Sequence, residues 1–288
     1  MNISISAITD VGHERENNED AFAICPDLAR PDWSKTSTQG YVKLSDSGAL
    51  LIVADGMGGP NAGEVASALA IDNIKDAFSK QDDISEQPSE EAARKLISQA
   101  IVQADDAINK QMFVAPETAG MGTTIVVCWL RADKAHIAWC GDSRCYAYSK
   151  DKGLRPLTKD HSYVQELVDR GELTEEEAYT HPDNNIITRG LGDFDNSVAP
   201  DFVTAEVTSG DSLLLCSDGL CGYCTNDEIE AILNQCHTDT PCCANKLVKL
   251  ALDAGGQDNI CVAVVTLLDD DDVPHESKFK TFFKNIFG

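Results

Sequence analysis

Short apolar runs alternate with longer amphipathic stretches along the chain, and several of the runs end on an acid. Residues 49–54, ALLIVA, are too short for a typical helix and rich in branched side chains, which predicts a buried strand. Asp55 and Gly56 end that run, and Gly58, Gly59 and Pro60 follow at once. A helical pattern then starts near Asn61, a good N-cap residue, and runs to about Phe78 with Val65, Leu69 and Ile74 on one side. Upstream, ISISAI (3–8) alternates polar and apolar positions, as a strand with one exposed face does, and AFAIC (21–25) predicts a second short strand. Residues 26–40, with Pro26, Pro31 and Gly40, read as a loop.

Downstream, Ser89 is placed to cap a long helix that carries Leu96, Ile97, Ala100, Ile101, Ala104, Ile108 and Met112 at helical spacing. That stripe is core and suggests no chemistry. Strands are expected again over 121–130, 134–140, 145–148 and 211–216, and ICVAVVTLL (260–268) supplies a last one. Thr174 with Glu177, and Thr225 with Glu228, form capping boxes, and a further helix is expected over about 244–253. Residues 157–192 hold few large apolar side chains and are expected to pack loosely.

The acids at the ends of the apolar runs are the candidate chemistry. Asp55 ends one run, Asp142 follows the next in GDSR, Asp218 ends a third in SDG, and Asp258 stands just before the last strand. Asp258 is equivalent to the others if that strand runs antiparallel to its neighbours. Glu19 and Asp20 precede AFAIC, and Arg15 lies four residues before Glu19. A guanidinium there can grip a phosphate with two parallel hydrogen bonds. One Asp-Gly turn means little; repeated carboxylates at strand mouths would repel one another if they converged, and divalent cations relieve that repulsion. The donors are oxygens, with no comparable Cys or His set, so Mg²⁺ or Mn²⁺ suits them better than zinc. His136 falls inside a strand and reads as structural.

Composition narrows the picture further. The 288 residues carry 48 acids against 23 bases, a net charge of −25, which argues against a general nucleic-acid role. The start, MNISISAITD, lacks the basic and apolar regions of a signal peptide, and no apolar run approaches a membrane span. Eleven cysteines in such a chain are expected to be reduced thiols in the cytoplasm.

Eight segments in order (TDVGHERENNEDAF, VADGMGGPNAGEVAS, GMGTTIVV, AWCGDSRCYAY, LTKDHSYVQELVDRGELTEEEA, HPDNNIITRGLG, LLLCSDGL and GGQDNICVAVV) resemble the metal-dependent type 2C protein serine/threonine phosphatases in their compact bacterial form. They cover nearly everything from Thr9 to Thr266. The resemblance implies an α+β fold, a β-sandwich of two antiparallel sheets flanked by helix pairs, with metals at one end. It implies a catalytic domain over 1–268 with a substrate-tuning flap over about 158–200. Two Mn²⁺ or Mg²⁺ ions are implied, with Asp55 bridging them, Gly56 lending its carbonyl, and Asp218 and Asp258 holding the first. Glu19 or Asp20 would serve the second, directly or through water, and the two remain open. Asp142 matches the ligand of a third, weaker metal, and Arg15 matches the phosphate-binding arginine. The implied reaction is hydrolysis of phosphoserine and phosphothreonine on proteins by a water held between the metals. It involves no phosphoenzyme and reverses a partner Ser/Thr kinase; the protein is expected to be a monomer.

One position departs from the pattern. Met57 stands where eukaryotic members often carry His, the proposed acid for the leaving group, and Met cannot transfer a proton. Bacterial relatives share the change. A catalytically silent binding module is the rival reading, but such a module would be expected to lose ligands and every carboxylate position here is filled. A zinc or redox module built from Cys216, Cys221, Cys224, Cys236, His237, Cys242 and Cys243 is a second rival. Cys221 and Cys224 form a C-x-x-C, yet they open a helix after SDGL, where buried structural cysteines are common.

Beyond the matched segments, Asp269–Asp272 reads as a solvated acidic spacer. In residues 278–287, Phe279, Phe282, Phe283, Ile286 and Phe287 form a helical stripe opposite Lys278, Lys280 and Lys284. That segment either folds back on its own domain or docks on an acidic membrane surface or a partner groove.

Overall fold

The computed structural model describes residues 1–34, 38–58, 62–80, 88–194, 198–236 and 238–269. Its first part runs β1 (Asn2–Asp10), β2 (Asp20–Cys25), β3 (Thr38–Lys43), β4 (Ala49–Met57), α1 (Gly63–Ser79) and α2 (Glu90–Val114). The middle holds β5 (Gly122–Thr123), β6 (Ile125–Arg131), β7 (Lys134–Cys140), β8 (Arg144–Ser149), β9 (Gly153–Pro156), α3 (Tyr163–Asp169), α4 (Glu175–Tyr179) and β10 (Leu191–Gly192). The last part is β11 (Asp201–Glu206), β12 (Ser212–Cys216), α5 (Asp218–Cys221), α6 (Asn226–Cys236), α7 (Thr240–Asp253) and β13 (Ile260–Leu268).

These strands form two antiparallel sheets. One has the order β3-β1-β13-β12-β8-β9; the other runs β10-β5-β4-β6-β7-β11, with β2 paired to β4. Three apolar layers hold the molecule together. Ile3, Ile5, Leu51, Val53, Val126, Ala263 and Val265 fill the space between the sheets. Leu50, Ile52 and Ala54 point the other way, against Ala66, Ala70 and Ile74 of α1 and Ile97, Ile101 and Ala104 of α2. Val262 and Val264 pack with Leu233 of α6 and Leu247 of α7 on the opposite outer face. Both faces of β4 and β13 are therefore covered, which is why each reads as an unbroken apolar run rather than an alternation.

The same covering corrects the reading of β1. Ser4 and Ser6 do not face solvent but are fully buried, because α7 lies over them, and Ser4 Oγ shares a hydrogen bond of 2.7 Å with Thr240 Oγ1. The small polar side chains admit a helix rather than water. α7 also begins earlier than its apolar spacing suggests, at Thr240, where Asp239 caps it by accepting from the Cys242 N–H at 3.0 Å. Ser89 caps α2 through the Ala92 N–H, as its position predicts, and both capping boxes form. Asn61 lies outside the described residues. The stretch read as a loop over 26–40 gives way at Thr38 to β3, and β11 likewise escapes the apolar pattern; both are edge strands. Residues 157–192 are better anchored than their composition suggests. Val164, Leu167 and Ala178 are buried, and Ser162 bridges to Ile187.

Candidate active site

The two sheets bring their acids to one end. Asp20 opens β2 directly opposite Asp55 near the end of β4, Asp218 follows β12, and Asp258 precedes β13, which runs antiparallel to β12. Asp142 lies in the turn between β7 and β8. The carboxyls of Asp20 and Asp218 lie against that of Asp55. All three groups are raised. Burial and the charges of Asp218 and Asp258 push Asp20 up to about 8, the Ser217 hydrogen bond opposing. Burial and Asp258 push Asp218 up to about 6. Asp55 lies well above the ordinary range through burial and then the charges of Asp20, Asp218 and Asp142. Asp142 is raised by burial, Asp218 and Asp160, and its Oδ1 is buried with no hydrogen-bond partner.

Glu19 is turned toward α1, its carboxyl close against Gly63; burial raises it while Arg15 lowers it. Arg15 Nη2 donates to Asp258 Oδ2 at 2.8 Å, and about half of the Arg15 side chain faces solvent. Arg15, Glu19 and the five aspartates singled out in the sequence thus assemble at a single end of the sandwich.

Gly56 and Gly219 make the assembly possible by close approach. A Cβ on Gly56 would meet the Gly63 carbonyl oxygen at 2.2 Å, so only glycine lets the start of α1 close on the end of β4. A Cβ on Gly219 would meet the Asn259 carbonyl oxygen at 1.8 Å, so the second DG serves the approach of Asp258 to Asp218. Thr123 Oγ1 and Thr124 N both donate to the Asp55 carbonyl, at 2.8 Å each, while Thr124 Oγ1 shares a 2.7 Å bond with Ser143 Oγ. The GTT segment therefore ties the Asp55 strand to the Asp142 turn.

Three residues support the site, of which Asn259 and Asp160 were missed by the sequence reading. Asn259 Nδ2 donates to the carbonyls of Val11 and Asn17, and its Oδ1 accepts from the Glu19 N–H, so one amide holds the whole Arg15 loop. Ser217 Oγ donates to Asp20 Oδ2 at 2.6 Å and accepts from the Cys261 N–H. Asp160 receives both Nε and Nη2 of Arg144. The signal for Asp160 was the arginine of GDSR, a charge largely removed from solvent that needs a carboxylate partner. His136 is structural as expected: its Nδ1 meets Thr204 Oγ1 at 3.0 Å, and its ring stacks on Phe202.

The donor set fits a hard divalent cation. It is all oxygen, it is crowded with negative charge, and it includes an orphaned carboxylate oxygen on Asp142. Among the described residues no trio of these side chains is already spaced as a coordination shell. They crowd one another with negative charge, and divalent cations relieve such repulsion.

Comparison with known proteins decides the family. Residues 9–260 match the family described as protein phosphatase 2C. The chain belongs to that family. It is 36% identical over 273 residues to the protein phosphatase PhpP of Streptococcus pneumoniae, covering 93% of this chain and 99% of PhpP. The solved serine/threonine phosphatase of S. agalactiae superposes with a TM-score of 0.78 at 33% identity, over 92% of this chain and 99% of that one. The catalytic domain of PstP, solved in complex with two manganese ions, gives a TM-score of 0.73 at 30% identity, over 93% of this chain and all of that one. Both the enzyme class, protein serine/threonine phosphatase, and the sandwich architecture expected from the sequence are thereby established.

Proposed function

We propose that this chain hydrolyses phosphoserine and phosphothreonine on proteins, without a phosphoenzyme, and so reverses a partner Ser/Thr kinase in the cytoplasm. The observation that carries the reading is the convergence of five buried or half-buried aspartates, Glu19 and a half-exposed arginine at one end of the sandwich. Asp55, the Gly56 carbonyl, Asp218 and Asp258, with Glu19 or Asp20, would hold two Mn²⁺ or Mg²⁺ ions. Asp142, with its orphaned oxygen, suits a third and weaker ion. When bound, the cations supply the positive charge that acidifies an attacking water and neutralises phosphate oxygens.

The chain's own residues do the rest. Arg15 orients the phosphate, and the carboxylates fix where positive charge collects. Among the described residues, neither serine beside the carboxylates is free to act as a nucleophile. Ser217 Oγ is engaged with Asp20 and the Cys261 N–H, and Ser143 Oγ with Thr124. His161 does not serve as a base for either, since its Nδ1 accepts from the Gly141 N–H and its Nε2 faces Asp201. Met57 pairs with Gly122 at the end of β4 and has no proton to give, so water or another residue must protonate the leaving group. The test is hydrolysis of an aryl phosphate and a phosphopeptide with and without Mn²⁺.

Arg15→Ala is expected to raise KM on the order of tenfold or more with little change in kcat, since a charge-assisted hydrogen bond contributes about 1.5–3 kcal/mol to ground and transition states alike. Steady-state kinetics on a phosphopeptide check it; a large fall in kcat at unchanged KM would mean that Arg15 acts on the transition state alone.

The catalytic unit is assigned to residues 1–268, with 158–200 as the flap, acting as a monomer. The acidic spacer from Asp270 onward and the stripe of 278–287 lie outside the described residues. Deletion of 273–288 separates the two readings of that tail. A docking segment gives unchanged melting temperature and aryl phosphatase activity, with binding to anionic vesicles or a partner lost. A marked drop in melting temperature shows that the tail belongs to the core.

A further inference from the structure

Eleven cysteines lie in this chain, and thiols meet at three places in the fold. Cys128 contacts Cys145 between the sheets, and Cys216 contacts Cys221 beneath α5, but all four are buried. The third contact differs. Cys236 is the last residue of α6 and Cys242 sits in the first turn of α7, and their Sγ atoms are 2.7 Å apart. Two sulfurs at that separation are within about 0.7 Å of the length of a covalent S–S bond, about 2.05 Å. Cys242 is also the one cysteine of the eleven that is not buried.

We propose that Cys236 and Cys242 form a reversible disulfide, a redox modification site at the corner between α6 and α7 that takes a peroxide as its oxidant. The Cys242 sulfur, reachable from solvent, attacks one peroxide oxygen. The O–O bond breaks, one water leaves with the thiol proton, and Cys242 becomes a sulfenic acid. The Cys236 sulfur then attacks the Cys242 sulfur. An S–S bond forms, the S–OH bond breaks, and a second water leaves with the Cys236 proton. The two sulfurs together lose two electrons and the peroxide gains them.

Local structure divides the roles of the two thiols. Cys242 reaches solvent and meets the oxidant first, while Cys236 lies buried behind it, where burial pushes its thiol up to about 11. The backbone holds the pair in place: the Asp239 N–H donates to the Cys236 carbonyl at 2.8 Å, and the Asp239 side chain caps the turn that carries Cys242. Cys243 also touches Cys236 but is buried, which makes it the competing partner to exclude.

The corner is remote from the carboxylates. Thr240, beside it, bonds Ser4, which lies six residues along β1 from Asp10 at the carboxylate end, about 20 Å at strand spacing. The site is thus independent of the phosphatase chemistry and does not rest on it.

The experiment is thiol mapping on the full chain. The reduced protein is exposed to hydrogen peroxide, alkylated without reductant under denaturing conditions, and digested for mass spectrometry. The expected product is a peptide cross-linked between Cys236 and Cys242, lighter by two hydrogens and released by dithiothreitol, with the other nine thiols alkylated. Cys236→Ser should abolish the cross-link and raise the dimedone-trapped sulfenic acid on Cys242 several-fold over wild type. Recovery of Cys242 unreacted, over-oxidised or bonded to Cys243 in the wild-type protein overturns the proposal. Because wild-type mapping decides the matter, a variant that fails to fold does not shelter it.

Discussion

Asp55→Asn and Asp218→Asn are each expected to leave a folded protein with phosphatase activity reduced by about 10³-fold or more. The size follows from what the carboxylates hold: charge stabilisation by bound cations contributes several kcal/mol to the transition state, and each 1.36 kcal/mol is tenfold in rate. Both substitutions keep side-chain volume and hydrogen-bonding capacity while removing one negative charge from a buried cluster. Stability should therefore move the other way from activity. With the metal removed, Asp55 is held well above the ordinary carboxylate range by burial and by Asp20, Asp218 and Asp142, so its replacement relieves repulsion. The metal-free Asp55→Asn protein is expected to melt higher than metal-free wild type at pH 8, and to gain less on adding Mn²⁺. Turnover of an aryl phosphate and thermal melts with and without EDTA measure both halves. Wild-type enzyme that turns over equally fast after EDTA treatment would remove the basis for assigning cations to these residues. An Asp55→Asn protein that melts lower than wild type without metal would show that Asp55 is not under that repulsion.

How far the sequence carried this site depended on whether a residue's role was local. Asp55, Asp142 and Asp218 were visible because each interrupts or closely follows an apolar run, and burial on both faces makes the runs themselves conspicuous. Their convergence was not visible from any one of them; it came from the order of eight segments. What escaped was non-local. Asn259 holds Val11, Asn17 and Glu19, more than 200 residues away in the chain, and an Asn before a strand carries no sign of that. The reason for the glycine after Asp218 is likewise spatial: it is the approach of Asn259, not only an exposed carbonyl, that excludes a side chain. β1 was misread for a related reason. Alternation says that two faces differ, and Ser4 and Ser6 do differ from Ile3 and Ile5, but alternation cannot tell water from a helix that accepts small polar neighbours. The Cys236–Cys242 contact was within reach of sequence as a cluster, but not its geometry, which follows from a turn between two helices.

The gain in melting temperature on adding Mg²⁺ is expected to grow steadily from about pH 5.5 to about pH 8.5. The sign follows from the raised carboxyls. Asp20 and Asp218 ionise near the ordinary 3.8 in the unfolded chain, but at about 8 and about 6 when folded without metal. Between those limits the folded state binds more protons than the unfolded one, so stability falls as pH rises. The stabilising contribution is complete below the unfolded value and is lost as pH passes the folded ones. His161 and His136 act in the opposite sense: burial first, then Arg189 for the one and Lys134 for the other, lower both. Their folded forms stay neutral where the unfolded chain takes up protons, so stability also falls as pH drops through their ordinary value of 6.5. A melting curve of metal-free protein alone would therefore mix the two trends. The difference between metal-loaded and metal-free protein largely separates them, because His136 pairs with Thr204 and His161 with Asp201, not with the raised carboxyls. Carboxylates of ordinary acidity are fully charged by about pH 5.5, and a metal site built from them would give an increment that is flat above that point. A flat or falling increment between about pH 5.5 and about pH 8.5 would mean that these aspartates are not raised in the folded protein.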